Sequence, residues 1–275
     1  MSKAVSARVR GTLATAAITA VAVFGLAACG SSDDNSTYVE QPVEVLYNRA
    51  LDDLGRQDYK AAAKGFEEVD RQHPYSVWAT KAQIMAAFAY YQSNKYDEAV
   101  IALDRFIQLH PGHRDIPYAY YLKALCFYEQ ISDVGRDQRV TQQALDALAE
   151  VVKRFPESPY ARDARLKVEL AIDHLAGKEM SVGRYYQKAQ QYVGAINRYR
   201  VVIERYQTTT HVPEALHRLV ECYLSLGVKS EAQETAAVLG YNFPGSEWYQ
   251  DSYFLMTGEG PRPPDETSGW FFGLF

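Results

Sequence analysis

One pattern, met five times along the chain, limits what the chain can become. In the stretch NKYDEAVIALDRFIQLHP, Asn94 to Pro111, the residues Tyr96, Ala99, Leu103 and Phe106 fall on one side of a helix. Pro111 cannot continue that helix and stops it. A helix with a single apolar stripe needs a neighbour on either side. The chain supplies them. Tyr59, Ala62, Phe66, Val69 and Pro74 carry the same spacing 37 residues earlier. Ala144, Leu148, Val151 and Pro156 repeat it, with Thr141 in the tyrosine place. Tyr192, Ala195, Tyr199 and Val202 repeat it again, with Gln207 in the proline place. Lys229, Ala232, Ala236, Leu239 and Pro244 form a weaker fifth copy. The closing positions 74, 111, 156, 207 and 244 are 37, 45, 51 and 37 residues apart.

A helix–turn–helix unit of about 34 residues with this small, large and proline pattern is the tetratricopeptide signature. It predicts an all-α solenoid of about five units, wound as a right-handed superhelix, in which each unit packs only on its neighbours. The formal net charge of −5 argues against a nucleic-acid partner, which would call for a basic face. The 21 tyrosines suit both inter-helix packing and an exposed binding surface.

The first residues form a targeting segment (1–28). Lys3, Arg8 and Arg10 precede the apolar run Leu13–Leu26, which is short for a membrane span. The run closes on Leu26, Ala27, Ala28 and Cys29, which resembles the bacterial lipobox. That resemblance implies cleavage before Cys29 and a covalent lipid on its sulfur, each buried CH₂ contributing about 0.8 kcal/mol to membrane attachment. The other reading is an ordinary secretory signal with a chance cysteine. Gly30, where an inner-membrane retention signal carries Asp, favours release to the outer membrane by the same resemblance. The polar segment after Cys29 reads as a tether over 29–42. Cys126 and Cys222 sit in apolar helical patterns and read as buried thiols.

In the first unit Gly55 is expected to end the first helix and Asp58 to cap the second; Ser76 is expected to cap the next. The third unit carries an insert, SDVGRDQRV (132–140), of the kind that maps to a loop on one face. In the fourth, 160–175 and 179–190 are helical, with Gly177 either a kink between two helices or an interior residue of one. Gly227 marks the turn of the fifth. The expected division is 43–156 for the first three units and 157–248 for the last two. From 249 to 275 a tail is expected, ending in Trp270, Phe271, Phe272, Gly273, Leu274 and Phe275. Such an end either packs back on the last unit or meets a partner or the bilayer interface.

No GxSxG, HExxH or phosphate-binding glycine loop is present, and no cofactor is expected. His110 and His113 lack a third ligand nearby, so no metal site is expected. The pairs Glu67/Glu68 and Asp97/Glu98 read as solvated helix faces. The positive feature is a face. Aligning the first helices on Ala50, Ala87 and Ala124 turns Tyr47, Phe88, Tyr91, Tyr118, Tyr121 and Tyr128 inward. Rigid aromatics with polar tips suit an extended peptide; the same stripe also suits plain inter-helix packing. In the last two units Arg184, Gln187, His217 and Glu221 take these places, which predicts a polar face for a folded partner.

A lipobox, a short tether and five such units resemble the BamD (ComL-like) family of lipoproteins of the β-barrel assembly machinery. The resemblance covers about 29–248. Its more specific parts are SDVGRDQRVTQQAL (132–145), FPESPYARDA (155–164) and SVGRYYQKAQQYVGAINRY (181–199). The first is similar to the family's Gly-x-Asp-Arg-like loop, although Arg136 and Asp137 stand in reverse order with Arg139 following. The resemblance implies a non-catalytic scaffold and substrate-recognition subunit, lipid-anchored on the periplasmic face of a Gram-negative outer membrane. It implies contact with the periplasmic domains of a BamA-like barrel-forming subunit through the C-terminal units, with Arg198 of the matching Asn197-Arg198 pair as a charged contact, beside Arg184 of the expected polar face. It also implies other lipoprotein subunits of that machinery as partners, and recognition of C-terminal segments of unfolded outer-membrane proteins by the N-terminal units. Two other classes are weighed. An adaptor of Tol or division machinery would be expected to carry an N-terminal heptad run, which is missing. A peptidoglycan enzyme would need a second domain for which about thirty residues are too few.

Overall fold

The computed structural model describes residues 40–259. Cys29, the targeting segment, most of the tether and the aromatic run 270–275 lie outside the described residues. Within them the chain forms eleven helices and no strand. Five consecutive pairs build the solenoid: α1 (Val43–Gly55) with α2 (Tyr59–Gln72), α3 (Val77–Gln92) with α4 (Tyr96–Leu109), and α5 (Ile116–Tyr128) with α6 (Arg139–Arg154). Then come α7 (Ala161–Lys188) with α8 (Tyr192–Arg205), and α9 (Val212–Ser225) with α10 (Lys229–Asn242). A last helix, α11 (Glu247–Thr257), closes the described chain.

The stripes read from the sequence are the core. Ala62, Phe66 and Val69 of α2 are fully buried, as are Ala99 and Leu103 of α4, Ala144, Leu148 and Val151 of α6, and Ala195, Tyr199 and Val202 of α8. Each large side chain so covered contributes roughly 1.5–3 kcal/mol. The core comes in separate clusters, each shared by successive helices, as expected where units pack only on their neighbours. Cys126 and Cys222 are buried free thiols inside these helices, and burial pushes both up to about 12. His110 sets its Nε2 3.0 Å from Gln83 Oε1 and tilts its ring on Phe106.

Local signals act where expected, with one exception. The Asp58 carboxylate accepts from the Ala61 N–H, and the Ser76 hydroxyl from the Ala79 N–H. Gly55, however, is the last residue of α1 rather than its left-handed stop. The residue that turns the chain there is Gln57, at φ 63°. Asn94 at φ 58° and Gln190 at φ 59° do the same in later turns, and Gly227 at φ 76° in the last. A tight turn between paired helices needs one left-handed residue. The third pair, with its insert, has none.

Two further departures matter for function. Helix α7 runs unbroken for 28 residues, so Gly177 is an interior residue and no kink. A Cβ at Gly177 would stand 3.3 Å from His211 Nε2 and 3.5 Å from Val134. Glycine there admits the insert and the start of α9. The N-terminal part of α7 (Ala164) packs with Leu148 and Val151, whereas Ala176 and Met180 join the cluster of α8 and α9. One rigid helix therefore belongs to both halves of the solenoid, where a division at 156/157 was expected. Likewise the expected tail from 249 is corrected: it starts inside α11, which Ser246 caps through the Tyr249 N–H and which packs on α9 and α10. Among the described residues, no helix is long and apolar enough to cross a membrane.

Candidate peptide-binding face

Helices α1, α3 and α5 touch one another, whereas the second helices of these pairs do not meet to the same degree. The first helices are thus the inner layer, and their free sides form the inner face. The structure places five of the six expected aromatics at its edge. Phe88, Tyr91 and Tyr118 are half-buried around the cluster of Ile84, Leu103 and Leu122; Tyr121 and Tyr128 are half-buried around that of Leu148 and Ala164. Tyr47 is the correction. It is 8% exposed, with its ring 5.4 Å from Phe66 and 4.8 Å from Trp78. The ring turns in between α1, α2 and α3 and fills the core there.

The four tyrosines among the remaining five are held by neighbours of the following unit. Tyr121 stacks on Tyr160 at 5.2 Å and 20° and donates to the Asp163 carboxylate. That hydrogen bond, with Lys167 beside it, lowers the Asp163 carboxyl below its usual range. Tyr118 meets the same Tyr160 ring at 5.5 Å. The Tyr91 hydroxyl stands 3.4 Å from Glu129, and burial followed by that carboxylate pushes it up to about 12. Lys167 Nζ lies 5.3 Å from the centre of the Tyr128 ring. Each ring keeps part of its surface exposed, able to cover apolar side chains, and the four phenol hydroxyls can exchange hydrogen bonds with a backbone.

Two exposed leucines lie beyond the expected aromatics. Leu166 and Leu170 of α7, one turn apart, are 55% and 59% exposed. Leu170 helps line a cavity of 660 Å³ between the end of α5, the insert and α7, together with Tyr128, Ile131, Val134, His174 and Arg184. The insert is fixed over it. His174 Nε2 is 2.7 Å from the Ser132 carbonyl, and Lys178 donates to the Gly135 carbonyl at 3.0 Å. The insert thus walls a cleft, while Arg136, Asp137 and Arg139 point to solvent. Only the excess length of the third unit signalled this. The leucines are indistinguishable from core residues in a helix whose apolar positions serve two packing faces in succession.

The C-terminal half differs from the expected polar face. Gln187, His217 and Glu221 are buried, at 5%, 4% and 8% exposure. Tyr199 donates to Gln187 at 2.7 Å, and Gln187 donates to Glu221 at 2.8 Å. Arg218 donates to the same carboxylate at 2.8 Å, and His217 Nε2 lies 3.5 Å from its other oxygen. His217 Nδ1 is 2.8 Å from the Ser252 hydroxyl of α11, and its ring lies 5.3 Å from Trp248. The reason for the correction is α11, which covers this side of α9. Burial alone would raise the Glu221 carboxyl; His217 and Arg218 outweigh it and hold the group at about 2. Of the two expected contact arginines, Arg184 pairs through two hydrogen bonds with Glu214 and Arg198 with Glu179 at 3.2 Å. Both keep nearly half of the side chain in solvent, at 47% and 43%.

Paired helices with an aromatic inner face and a walled cleft define a tetratricopeptide-type scaffold. The chain belongs to the YfiO family, described as outer membrane lipoproteins, whose model matches residues 39–239. It is 50% identical over 255 residues to the outer membrane protein assembly factor BamD of Caulobacter vibrioides, spanning 91% of this chain and 84% of that one. It is 45% identical to that of Rickettsia prowazekii, spanning 88% and 97%. A Neisseria meningitidis serogroup A relative of the same name is 34% identical, spanning 90% and 94%. Among solved structures, the TPR2AB domain of yeast Sti1 aligns at a TM-score of 0.41 with 10% identity, over 78% of this chain and 82% of that one.

Proposed function

We propose that this chain is a non-catalytic outer membrane protein assembly factor whose N-terminal units and α7 hold extended segments of unfolded outer-membrane proteins, while its C-terminal units dock on the barrel-forming subunit. Family membership supports the first part: the relatives, of whose length the chain spans 84% and 97%, carry the name of an assembly factor, and the chain serves that assembly at the outer membrane of a Gram-negative bacterium rather than as an enzyme. The observation that carries the binding role is the run of half-exposed aromatics leading from Tyr91 through Tyr121 and Tyr128 into the cleft at Leu170. An extended strand can lay alternate side chains into such a surface and keep its backbone polar groups paired with phenol hydroxyls. The C-terminal segments of barrel proteins are the occupants this reading assigns.

Arg184 and Arg198 serve the second contact by extending existing ion pairs with Glu214 and Glu179 toward a partner carboxylate. A lipid on Cys29 holds the solenoid at the periplasmic face and raises its effective concentration near other anchored lipoprotein subunits. Cys29→Ser is expected to move the mature chain from the membrane to the soluble fraction; retention in membranes would remove the lipid as the anchor.

The test of the groove is Tyr91→Ala with Tyr121→Ala. The double variant is expected to keep its helical circular dichroism and to lose most crosslinking to a peptide from the C-terminal end of a barrel protein. Crosslinking at the level of the unaltered chain, in a folded double variant, would reject the groove.

A further inference from the structure

The first three units have two unlike edges, and the chain enters the solenoid at one of them. Successive helices pack antiparallel through short turns, so the ends of α2, α4 and α6 lie at one edge with the starts of α3, α5 and α7. Side chains tie these ends together. Gln83 of α3 donates to Asp70 near the end of α2 at 2.8 Å, and its Oε1 lies 3.0 Å from His110 Nε2 just after α4. Arg154, the last residue of α6, donates to the Tyr120 hydroxyl near the start of α5 at 3.0 Å. Gln41, just ahead of α1, is fixed at the same edge. Its N–H donates to Gln72 Oε1 at 2.9 Å, and its carbonyl lies 2.7 Å from His73 Nε2. Units four and five do not share this edge. His211, ahead of α9, meets Asp173 twelve residues into α7, about 18 Å along that helix.

The side chains of this edge exceed what a chain reversal needs. Tyr75 is 101% exposed, Val77 76% and Leu109 56%. Gly112 takes the place of Tyr75 in the next loop, so the fold does not call for a ring there. Arg71, Arg114, Lys153, Arg154, Arg162 and Arg165 are all exposed around them. The loops 71–78, 109–117 and 153–165 together hold six basic residues against three acidic ones. The turns of the opposite edge, 52–60, 94–98 and 128–140, hold five basic against eight acidic. Arg71 and Arg154 pair with Glu68 and Glu150, yet keep 61% and 55% of their side chains in solvent.

We propose that this edge lies on the bilayer, with Tyr75, Val77 and Leu109 at the level of the headgroups and the basic side chains on anionic lipid phosphates. The proposal rests on the lipid at Cys29, twelve residues before Gln41, which keeps the entry to the solenoid within about 40 Å of the acyl chains. Tyrosine is favoured at the membrane–water interface. Each basic side chain near an anionic surface strengthens the contact about fivefold. A flexible tether alone leaves a domain free to turn in any direction. A basic, aromatic edge beside the tether selects one direction and points the acidic edge away from the lipid. The helices of units one to three then stand on end, and the inner face stays clear of the bilayer and open to a peptide. No helix has to cross the membrane for this.

The experiment reads which edge meets lipid, in the lipidated mature chain on phosphatidylethanolamine–phosphatidylglycerol vesicles. A fluorophore is attached at Gly112→Cys, which has open space around it, or at Asp97→Cys, which is exposed at the opposite edge. Cys126 and Cys222 are buried and stay unlabelled. Headgroup spin-labelled lipid is expected to quench most of the fluorescence at 112 and none at 97. Tyr75→Ser with Arg114→Glu and Arg162→Glu is expected to restore most of the signal at 112 while the chain still floats with the vesicles. Flotation with equal quenching at both positions, or with none at 112, overturns the proposal and leaves the anchor in place. Quenching at 112 that the triple substitution does not change overturns the assignment of these residues. A chain that does not float removes the anchor, and the proposal with it. Fluorescence at 112 that responds to the added barrel-forming subunit and not to the spin-labelled lipid overturns it in favour of a protein contact.

Discussion

The two halves of this solenoid are built from one helical pattern and turn different chemistry inward. In α1–α6 the inner face carries phenols that are half-covered, each braced by a ring, a carboxylate or a lysine of the following unit. In α7–α11 the same register carries Gln187, His217 and Glu221, and all three are buried, with His217 held against Ser252 of the last helix. The difference teaches that a repeat register sets where a side chain points and not whether it meets solvent. What decides exposure is the next element along the chain. The N-terminal half leaves its face open for a partner; the C-terminal half spends the equivalent face on holding α9 to α7 and α11.

The sharpest way to break this contrast is to remove the carboxylate at the centre of the buried set. Glu221→Ala leaves Arg218, His217 and Gln187 without their shared acceptor, and a loss of about 3–5 kcal/mol is expected in a denaturant titration. A loss under about 1 kcal/mol would mean that water reaches the network and that the C-terminal face is open after all. Next in size is a matched pair of tyrosines. Tyr47→Ala removes a core ring and is expected to cost about 3 kcal/mol, while Tyr121→Ala is expected to cost about 1 kcal/mol and to weaken peptide capture. Equal costs, or peptide capture lost with Tyr47, would return Tyr47 to the binding face. The smallest effect is in pH. Glu221 is lowered to about 2 and Glu214 is lowered as well, so their contribution is complete above the ordinary carboxylate range near 4.5. It is lost as pH falls from there toward 2. Exchange protection in α9 and α11 should therefore decline across that window before that of α2–α4. A uniform decline would show that the buried carboxylates carry no special share.

The fold was legible because its signal is periodic. Alanine at one fixed place, large residues one and two turns on, and a closing proline specify helix, stripe and stop together. The site was legible only in part. Tyr91, Tyr118, Tyr121 and Tyr128 follow from the register, and they stand half-buried beside the core clusters of α3–α6. Tyr47 does not, because its ring falls inward on Phe66 and Trp78. His217 and Glu221 look like surface residues in sequence; α11, hidden in what reads as a tail, covers them. Leu166 and Leu170 look like core in α7, and the change of neighbours along that helix exposes them.

The measurement that tests the account most directly is site-specific photo-crosslinking in living cells, with the photoreactive residue placed at Leu170 in one strain and at Arg198 in another. The account predicts that position 170 captures unfolded outer-membrane proteins and position 198 captures the barrel-forming subunit. Capture of the barrel-forming subunit at 170 and of unfolded chains at 198, or of one and the same protein at both, would contradict the division of labour between the two halves.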